Sequence, residues 1–287
     1  VLTDKNHPVA RMMYEDLKGH ALVRFHSVSL TYPIENPKIL SDLVRHELRD
    51  ASESDDVWVV DAQTAVAVGT CLGEGLPLHE RLVVTGGPAA VDPRHYHVRI
   101  GTPLESFIKP VDETTLLLRG GVLTGRPVSD GVAAVGYDDD AYFALPRTGK
   151  SDVLGFARPG FAKTSYTRSF AGRLFGGFDR NISATLRGEE RPCIACGLCE
   201  TVCPAGIMPQ IIHRYLYRGR TEEAEKAGLG RCVDCNLCTY VCPSKIELQR
   251  QFSEAKELVR REREEMLAVA AKSEASAATS TGEGERL

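Results

Sequence analysis

The sequence predicts a multidomain α+β protein, in which an α/β region, a β-rich region and an all-helical region follow one another. Strand-like and helix-like patterns alternate over residues 1–75. Short apolar runs separated by glycine and proline fill residues 76–150. Eight of the nine cysteines lie between Cys193 and Cys242. We therefore expect three folded regions, with residues 151–188 as an irregular linker before the last one.

The first region, residues 1–75, has the pattern of an α/β domain with a partly parallel sheet. Asn36 followed by Pro37 is typical of a helix start, because asparagine caps free N–H groups and proline suits the first helical position. The apolar run Val57–Val60 predicts a buried strand that leads into a helix from Ala62. Alternation of strands and helices favours parallel pairing within one sheet.

The second region, residues 76–150, predicts several short strands around one short helix. The run Arg81–Thr85 ends at two glycines and a proline, and Thr114–Leu118 ends at another glycine pair. Pro103–Ile108 has room for one or two helical turns. This arrangement is typical of a small α+β unit of the β-grasp type.

Composition and charge exclude several classes of protein. The 35 Lys+Arg and 39 Asp+Glu give a net charge of −4, so we expect no nucleic-acid partner. No apolar run is long enough to cross a bilayer, and we expect no transmembrane segment. The crowding of the cysteines differs from the spread pairs of a secreted disulfide framework. We therefore expect metal ligands in a reducing compartment, the cytoplasm.

The cysteine segment contains an internal repeat. Residues Cys193–Pro204 read CIACGLCETVCP, and residues Cys232–Pro243 read CVDCNLCTYVCP. Both follow the C-x2-C-x2-C-x3-C-P spacing of bacterial ferredoxins with two [4Fe-4S] clusters, in which the fourth cysteine binds the other cluster. The spacing thus predicts one cluster held by Cys193, Cys196, Cys199 and Cys242. It predicts a second cluster held by Cys232, Cys235, Cys238 and Cys203.

The residues around these cysteines predict a helical domain. Gly197 and Asn236 occupy the same place in the two copies, and both residue types tolerate a left-handed backbone. Between the copies, Pro209–Arg218 and Thr221–Ala227 have the pattern of two short helices. We therefore predict an all-α dicluster ferredoxin-like domain over residues 189–272. The composition of residues 273–287, rich in alanine, serine, threonine and glycine, predicts a disordered tail.

Two alternatives to an electron carrier of a membrane complex stay open. A structural zinc module is one, although zinc sites with four cysteines usually use two separated C-x2-C pairs and leave a third cysteine at this pitch without a role. A dicluster component of a different soluble dehydrogenase or reductase is the other, because such modules are fused to many partners.

Several other conspicuous side chains receive structural interpretations. Trp58 is predicted to lie in a core, and Cys71, on an apolar helix, to be a buried thiol. His95 and His97 are predicted to form an exposed pair on a strand. Near the clusters, the acidic Glu200 and Asp234 disfavour reduction, which predicts at least one cluster of low potential.

The motifs together resemble a known group of redox subunits over roughly residues 20–250. The cysteine segment, with Arg191–Ile194 before it and Cys242–Lys245 at its end, resembles the C subunit of the Rnf electron-transport complex. The preceding stretch resembles the A subunit of the Na+-translocating NADH:quinone reductase. That likeness lies in Val57-Trp58, Ala65–Gly69, Arg81–Pro88, Ile100–Leu104, Gly121–Gly125 and Ser165–Leu174. Because that quinone-reductase component commonly lacks the cluster cysteines, the chain resembles a relative that has retained them.

The resemblance implies a fold, a function and a location. It implies a partial Rossmann-like domain over 1–75, a soluble-ligand-binding β-grasp domain over 76–150 and, before Val1, a further part with any flavin or NADH loop. It implies an electron-transfer subunit that relays electrons through two [4Fe-4S] clusters in an NADH:quinone or ferredoxin-linked oxidoreductase coupled to Na+ or H+ transport. The implied partners are the other subunits, with quinone as a further candidate ligand. The implied location is the inner face of the cell membrane, and no catalytic residue is assigned to this chain.

Overall fold

The computed structural model describes residues 2–3, 7–29, 31–47, 56–109, 114–128, 133–147 and 190–281. The predicted linker over 151–188 lies outside the described residues. The chain divides into two compact units, residues 1–61 and residues 62–287. In the described part of the chain, no helix combines the length and the apolar character needed to span a bilayer.

The described residues of the first unit form two short strands and two helices. Strand β1 (Leu2–Thr3) pairs in parallel with β2 (His26–Ser27). Helix α1 covers Pro8–Leu17, and α2 covers Pro37–Asp42 before a π-helical turn. The predicted start of α2 is confirmed, because the side chain of Asn36 accepts a hydrogen bond from the N–H of Lys38 at 3.0 Å.

The prediction of a buried strand over Val57–Val60 is wrong. These residues have no regular secondary structure, and the side chain of Trp58 is 88% exposed. A strand needs a hydrogen-bonded neighbour to satisfy its backbone groups, and no strand in the described part of the chain pairs with this run. The run is apolar enough for a strand, but the fold supplies it with no partner.

The second unit opens with helix α3 (Ala62–Glu74), which starts where the sequence predicts. Its side chains are not buried, and the prediction of a buried Cys71 is wrong because this thiol is exposed. The helix contacts the following sheet through Gln63. The side-chain amide of Gln63 donates to the backbone carbonyl of Leu82 at 3.0 Å and accepts from the backbone N–H of Leu82 at 2.9 Å. These two bonds satisfy backbone groups of the strand that contains Leu82.

A five-stranded mixed sheet follows, which agrees with the predicted α+β class. Its strands lie in the order β4-β3-β7-β5-β6, with β3 and β7 parallel and the other neighbours antiparallel. A 3-10 turn over Leu104–Ser106 packs beside it. The strands are β3 (Glu80–Gly86), β4 (His95–Arg99), β5 (Thr115–Arg119), β6 (Arg126–Pro127) and β7 (Ala141–Pro146).

The core of this sheet combines apolar packing with a buried carboxylate. Val83 and Tyr142 are almost fully buried. Asp139 accepts hydrogen bonds from the Tyr142 hydroxyl and from the N–H of Gly136, and it lies 3.3 Å from the guanidinium of Arg119. The buried Arg81 donates to the carbonyl of Asp139 at 3.2 Å. The polar groups of this core therefore satisfy one another, which keeps the cost of burying them low.

Five α-helices lie within residues 190–281, the described part of the C-terminal region, which agrees with the predicted helical character. Helices α5 and α6 confirm the two predicted short helices, and a 3-10 turn over Leu229–Arg231 follows α6. Ile212 and Phe252 are fully buried in one core cluster. The helices are α4 (Leu198–Thr201), α5 (Pro209–Leu216), α6 (Thr221–Lys226), α7 (Leu237–Val241) and α8 (Leu248–Thr281).

Helix α8 extends beyond the predicted end of the domain at residue 272. It reaches Thr281, so the prediction of disorder is wrong for residues 273–281, and residues 282–287 lie outside the described residues. The three alanines in residues 273–281 favour the longer helix, because alanine has the highest helix propensity.

Candidate functional site

Two tight loops position the cysteines of the repeat. Each loop turns through two left-handed residues, Ala195 and Gly197 in the first copy and Asp234 and Asn236 in the second, with φ between 52° and 76°. The prediction for Gly197 and Asn236 is confirmed. Ala195 and Asp234 occupy matching places in the repeat, and neither was predicted to be left-handed. Alanine rarely adopts this conformation, whereas aspartate, like asparagine, is one of the few residue types besides glycine found there more often.

The loops and the helices that follow them surround two neighbouring cavities. The first cavity is lined by Cys193, Cys196, Cys199 and Cys242. The second cavity is lined by Cys203, Cys232, Cys235 and Cys238. The structure thus places the four cysteines of each predicted ligand set around one cavity. Three cysteines of each set come from one copy of the repeat and the fourth comes from the other copy.

The remaining walls of both cavities are mainly apolar. Ile246 and Leu248 contribute to the first cavity, while Ile207 and Phe252 contribute to the second. About 350 Å³ in the first cavity and about 340 Å³ in the second are free of protein atoms, including space open to solvent. Four sulfur donors beside apolar walls suit a soft iron–sulfur group better than a hard cation, which prefers oxygen ligands.

Burial raises the pKa of four cysteine thiols at these cavities. It raises the pKa of Cys199 to about 11 and that of Cys238 to about 12, and it also raises the pKa of Cys232 and Cys235. Backbone N–H groups lower the pKa instead, as those of Gln210 and Glu200 do at Cys199. These thiols are therefore protonated at neutral pH unless a metal displaces their protons.

The two cavities differ in exposure. Cys193 and Cys196 of the first cavity are exposed. In the second cavity, Cys232 and Cys238 are buried, and the other two cysteines are half-buried. The first cavity is therefore the more accessible one.

Each cavity also has one acidic neighbour, as the sequence predicts, and these acids have different partners. Glu200, beside Cys199, accepts a hydrogen bond from the Gln210 amide at 2.9 Å. Asp234, between two cysteines of the second set, forms an ion pair with Lys256 of α8. Lys256 was not among the predicted site residues, because the contact joins residues 22 positions apart.

A contact between the sheet and the second loop was not predicted either. The side-chain amide of Asn236 donates to the carbonyl of Leu123, in the turn between β5 and β6, at 2.8 Å. Gly197, at the matching place in the first copy, has no side chain for such a bond. The Asn236 side chain therefore ties the second loop to the sheet.

No three His, Cys, Asp or Glu side chains among the described residues form a site for a single metal ion. In a four-iron cluster each thiolate binds its own iron, so the four cysteines surround the cluster rather than meet at one point.

The histidines His95 and His97 form an exposed pair on β4, as predicted, and His97 lies 3.4 Å from Glu80.

Comparisons with known proteins agree with these observations. A family model described as a 4Fe-4S dicluster domain matches residues 192–247, which supports iron–sulfur clusters in this segment. The chain is also similar to curated proteins named as the A subunit of the Na(+)-translocating NADH-quinone reductase. The protein from Shewanella frigidimarina is 29% identical over 68% of this chain and 44% of its own length. The one from Klebsiella pneumoniae is 30% identical over 79% and 51%, and the one from Hahella chejuensis is 32% identical over 64% and 41%.

The chain spans about half the length of these relatives, 41–51% in the three cases. The similarity nevertheless covers 64–79% of the chain itself, more than the cysteine segment alone. The resemblance to the A subunit of the Na+-translocating NADH-quinone reductase is therefore confirmed, in a chain that carries a 4Fe-4S dicluster domain.

Proposed function

We propose that this chain is an electron-transfer subunit that binds two [4Fe-4S] clusters. The observation that carries the proposal is the crossed composition of the two cavities, each with three cysteines of one copy and one of the other. Dicluster ferredoxins use this exchange of the fourth ligand. The proposed ligands are Cys193, Cys196, Cys199 and Cys242 for the first cluster, and Cys203, Cys232, Cys235 and Cys238 for the second.

The residues of the chain have three tasks in this proposal. The eight thiolates hold the clusters, which supply one-electron redox chemistry when bound. Backbone N–H groups at sulfur, such as that of Gln210 at Cys199, stabilise negative charge there. Apolar side chains such as Phe252 exclude water. Because Cys199 and Cys203 are four residues apart and line different cavities, the two cavities are close enough to pass electrons between them.

We further propose that the chain works in a membrane NADH:quinone or ferredoxin-linked oxidoreductase that couples electron flow to Na+ or H+ transport. The names of the relatives support this proposal. The other subunits are then its partners, quinone is a candidate ligand, and the location is the cytoplasmic face of the membrane. Within the same proposal, the first unit is part of a Rossmann-like domain and the five-stranded sheet belongs to a β-grasp domain.

Metal analysis after anaerobic purification tests the cluster proposal. We expect about eight iron and eight sulfide per chain, together with a brown colour and EPR signals on reduction. Zinc in place of iron and sulfide would contradict the proposal. Mild membrane extraction tests the wider role, since co-purification with membrane subunits is expected. A chain that is recovered alone in the soluble fraction would favour a soluble dehydrogenase or reductase instead.

A further inference from the structure

The ammonium of Lys256 lies beside the second cavity and is held by an ion pair and a hydrogen bond. The ammonium of Lys256, whose side chain is 21% exposed, pairs with the carboxylate of Asp234. It also donates to the carbonyl of Cys232 at 3.1 Å. Ser253 donates to the other oxygen of Asp234 at 2.8 Å and accepts from the Gln249 amide at 2.9 Å. Three residues of α8 therefore fix the position of the carboxylate and of the ammonium.

Both charges lie close to cysteines of the second set. Asp234 is two residues after Cys232 and directly before Cys235. The ammonium reaches the backbone of Cys232 itself. One-electron reduction adds a negative charge in this cavity, which a nearby carboxylate disfavours and a nearby ammonium favours. The partly buried position leaves both effects less screened by water than on an open surface.

The first copy of the repeat has no such pair among the described residues. Ala195 occupies the place of Asp234, and Tyr217, which is 81% exposed, occupies the place of Lys256. The acid of the first copy, Glu200, is hydrogen-bonded to the neutral amide of Gln210. The paired charges are therefore a feature of the second cavity, although the two loops share their cysteine spacing.

We propose that Lys256 raises the reduction potential of the second cluster, as a positioning residue that acts through Asp234 and the Cys232 carbonyl. The proposal rests on the proposed function, because it requires a cluster in the second cavity. In this arrangement Lys256 offsets the potential-lowering effect of Asp234. The charged pair therefore makes the surroundings of the second cluster differ from those of the first, although the two motifs have the same cysteine spacing.

The test is an EPR-monitored redox titration of the full chain, purified anaerobically, with dithionite as reductant. Lys256→Met removes the charge and keeps most of the aliphatic stem, and Lys256→Arg is the matched control that keeps the charge. We expect a lower potential for one cluster in Lys256→Met, a smaller change in Lys256→Arg, and a higher potential for the same cluster in Asp234→Asn. The other cluster should keep its potential in all three variants.

Two further measurements make the result unambiguous. Cys232→Ser and Cys193→Ser each change one proposed ligand, so the altered EPR signal identifies the second and the first cluster. Equal shifts of both clusters, or none, in Lys256→Met with its full iron content would overturn the proposal and leave the proposed function intact. A wild-type chain without two iron–sulfur clusters would instead refute the proposed function. Should Lys256→Met lose iron, Asp234→Asn decides, and an unmoved second cluster refutes the inference.

Discussion

The crossed cysteine sets make a sharp prediction for Cys242→Ala. Cys242 ends the second copy of the repeat but lines the first cavity, with Cys193, Cys196 and Cys199. Its removal should therefore empty the first cavity and spare the second. Ligation within each copy would predict the reverse, because Cys242 would then belong with Cys232, Cys235 and Cys238.

The structure sets the loss of iron expected for Cys242→Ala. The first cavity loses one of four sulfur donors and the second loses none, so iron should fall from about eight to about four per chain. Alkylation under native conditions, followed by peptide mass spectrometry, shows which thiols have become free. Cys193 and Cys196 should react first because they are exposed. The first three cysteines of the second copy should stay protected.

Two matched variants complete the experiment. Cys203→Ala should give the mirror result, with the thiols of the second set free and those of the first set protected. Cys71→Ala removes an exposed cysteine far from both sets in the sequence and should keep all the iron. The reasoning is refuted if Cys242→Ala frees Cys232 and Cys235 while Cys193 remains protected.

Three further changes test the packing. The side chain of Phe252 is fully buried, so Phe252→Ala should lower the free energy of unfolding of the helical region by about 3–5 kcal/mol, and Phe252→Leu should lower it less. Urea unfolding monitored by circular dichroism measures both. Asn236→Gly keeps the left-handed backbone but loses the bond to Leu123, so it should cost only about 0.5–1.5 kcal/mol and speed cluster loss to a chelator from the second cavity alone. Burial, and then the hydrogen bond to Asp139, raise the pKa of Tyr142. The stability that the neutral hydroxyl contributes is therefore complete below the unfolded pKa of about 10, and it is lost as the pH rises from there through the higher folded pKa. Hydrogen exchange of β7 amides should show a steeper loss of protection above that pH in the wild type than in Tyr142→Phe, and equal slopes would contradict the assignment.

The sequence alone predicted the features that depend on local spacing. The repeated cysteine pitch, the left-handed places of Gly197 and Asn236 and the helices α5 and α6 need only nearby residues. Turn chemistry and helical periodicity act over a few positions, so one sequence suffices to recognise them. The order of α/β, sheet and helical regions follows from the same signals.

Burial was predicted less well. Trp58 and Cys71 lie in apolar runs, yet both are exposed, because burial requires a second surface that covers the run. The run Val57–Val60 likewise has the composition of a strand but no partner strand in the described structure. An apolar pattern indicates which face of a segment can be buried. Whether another surface covers that face depends on the rest of the fold.

The tertiary structure alone decided which partners Asp234 and Asn236 of the second loop contact. The cysteine spacing of the two loops is the same, but Lys256 reaches Asp234 from a helix that packs on the second loop, and Leu123 reaches Asn236 from the sheet. Both contacts join residues far apart in the chain, and neither leaves a periodic signal. The sequence by itself determined where sulfur donors are available, whereas the packing of α8 and of the β5–β6 turn determined the charge and the contacts around each set.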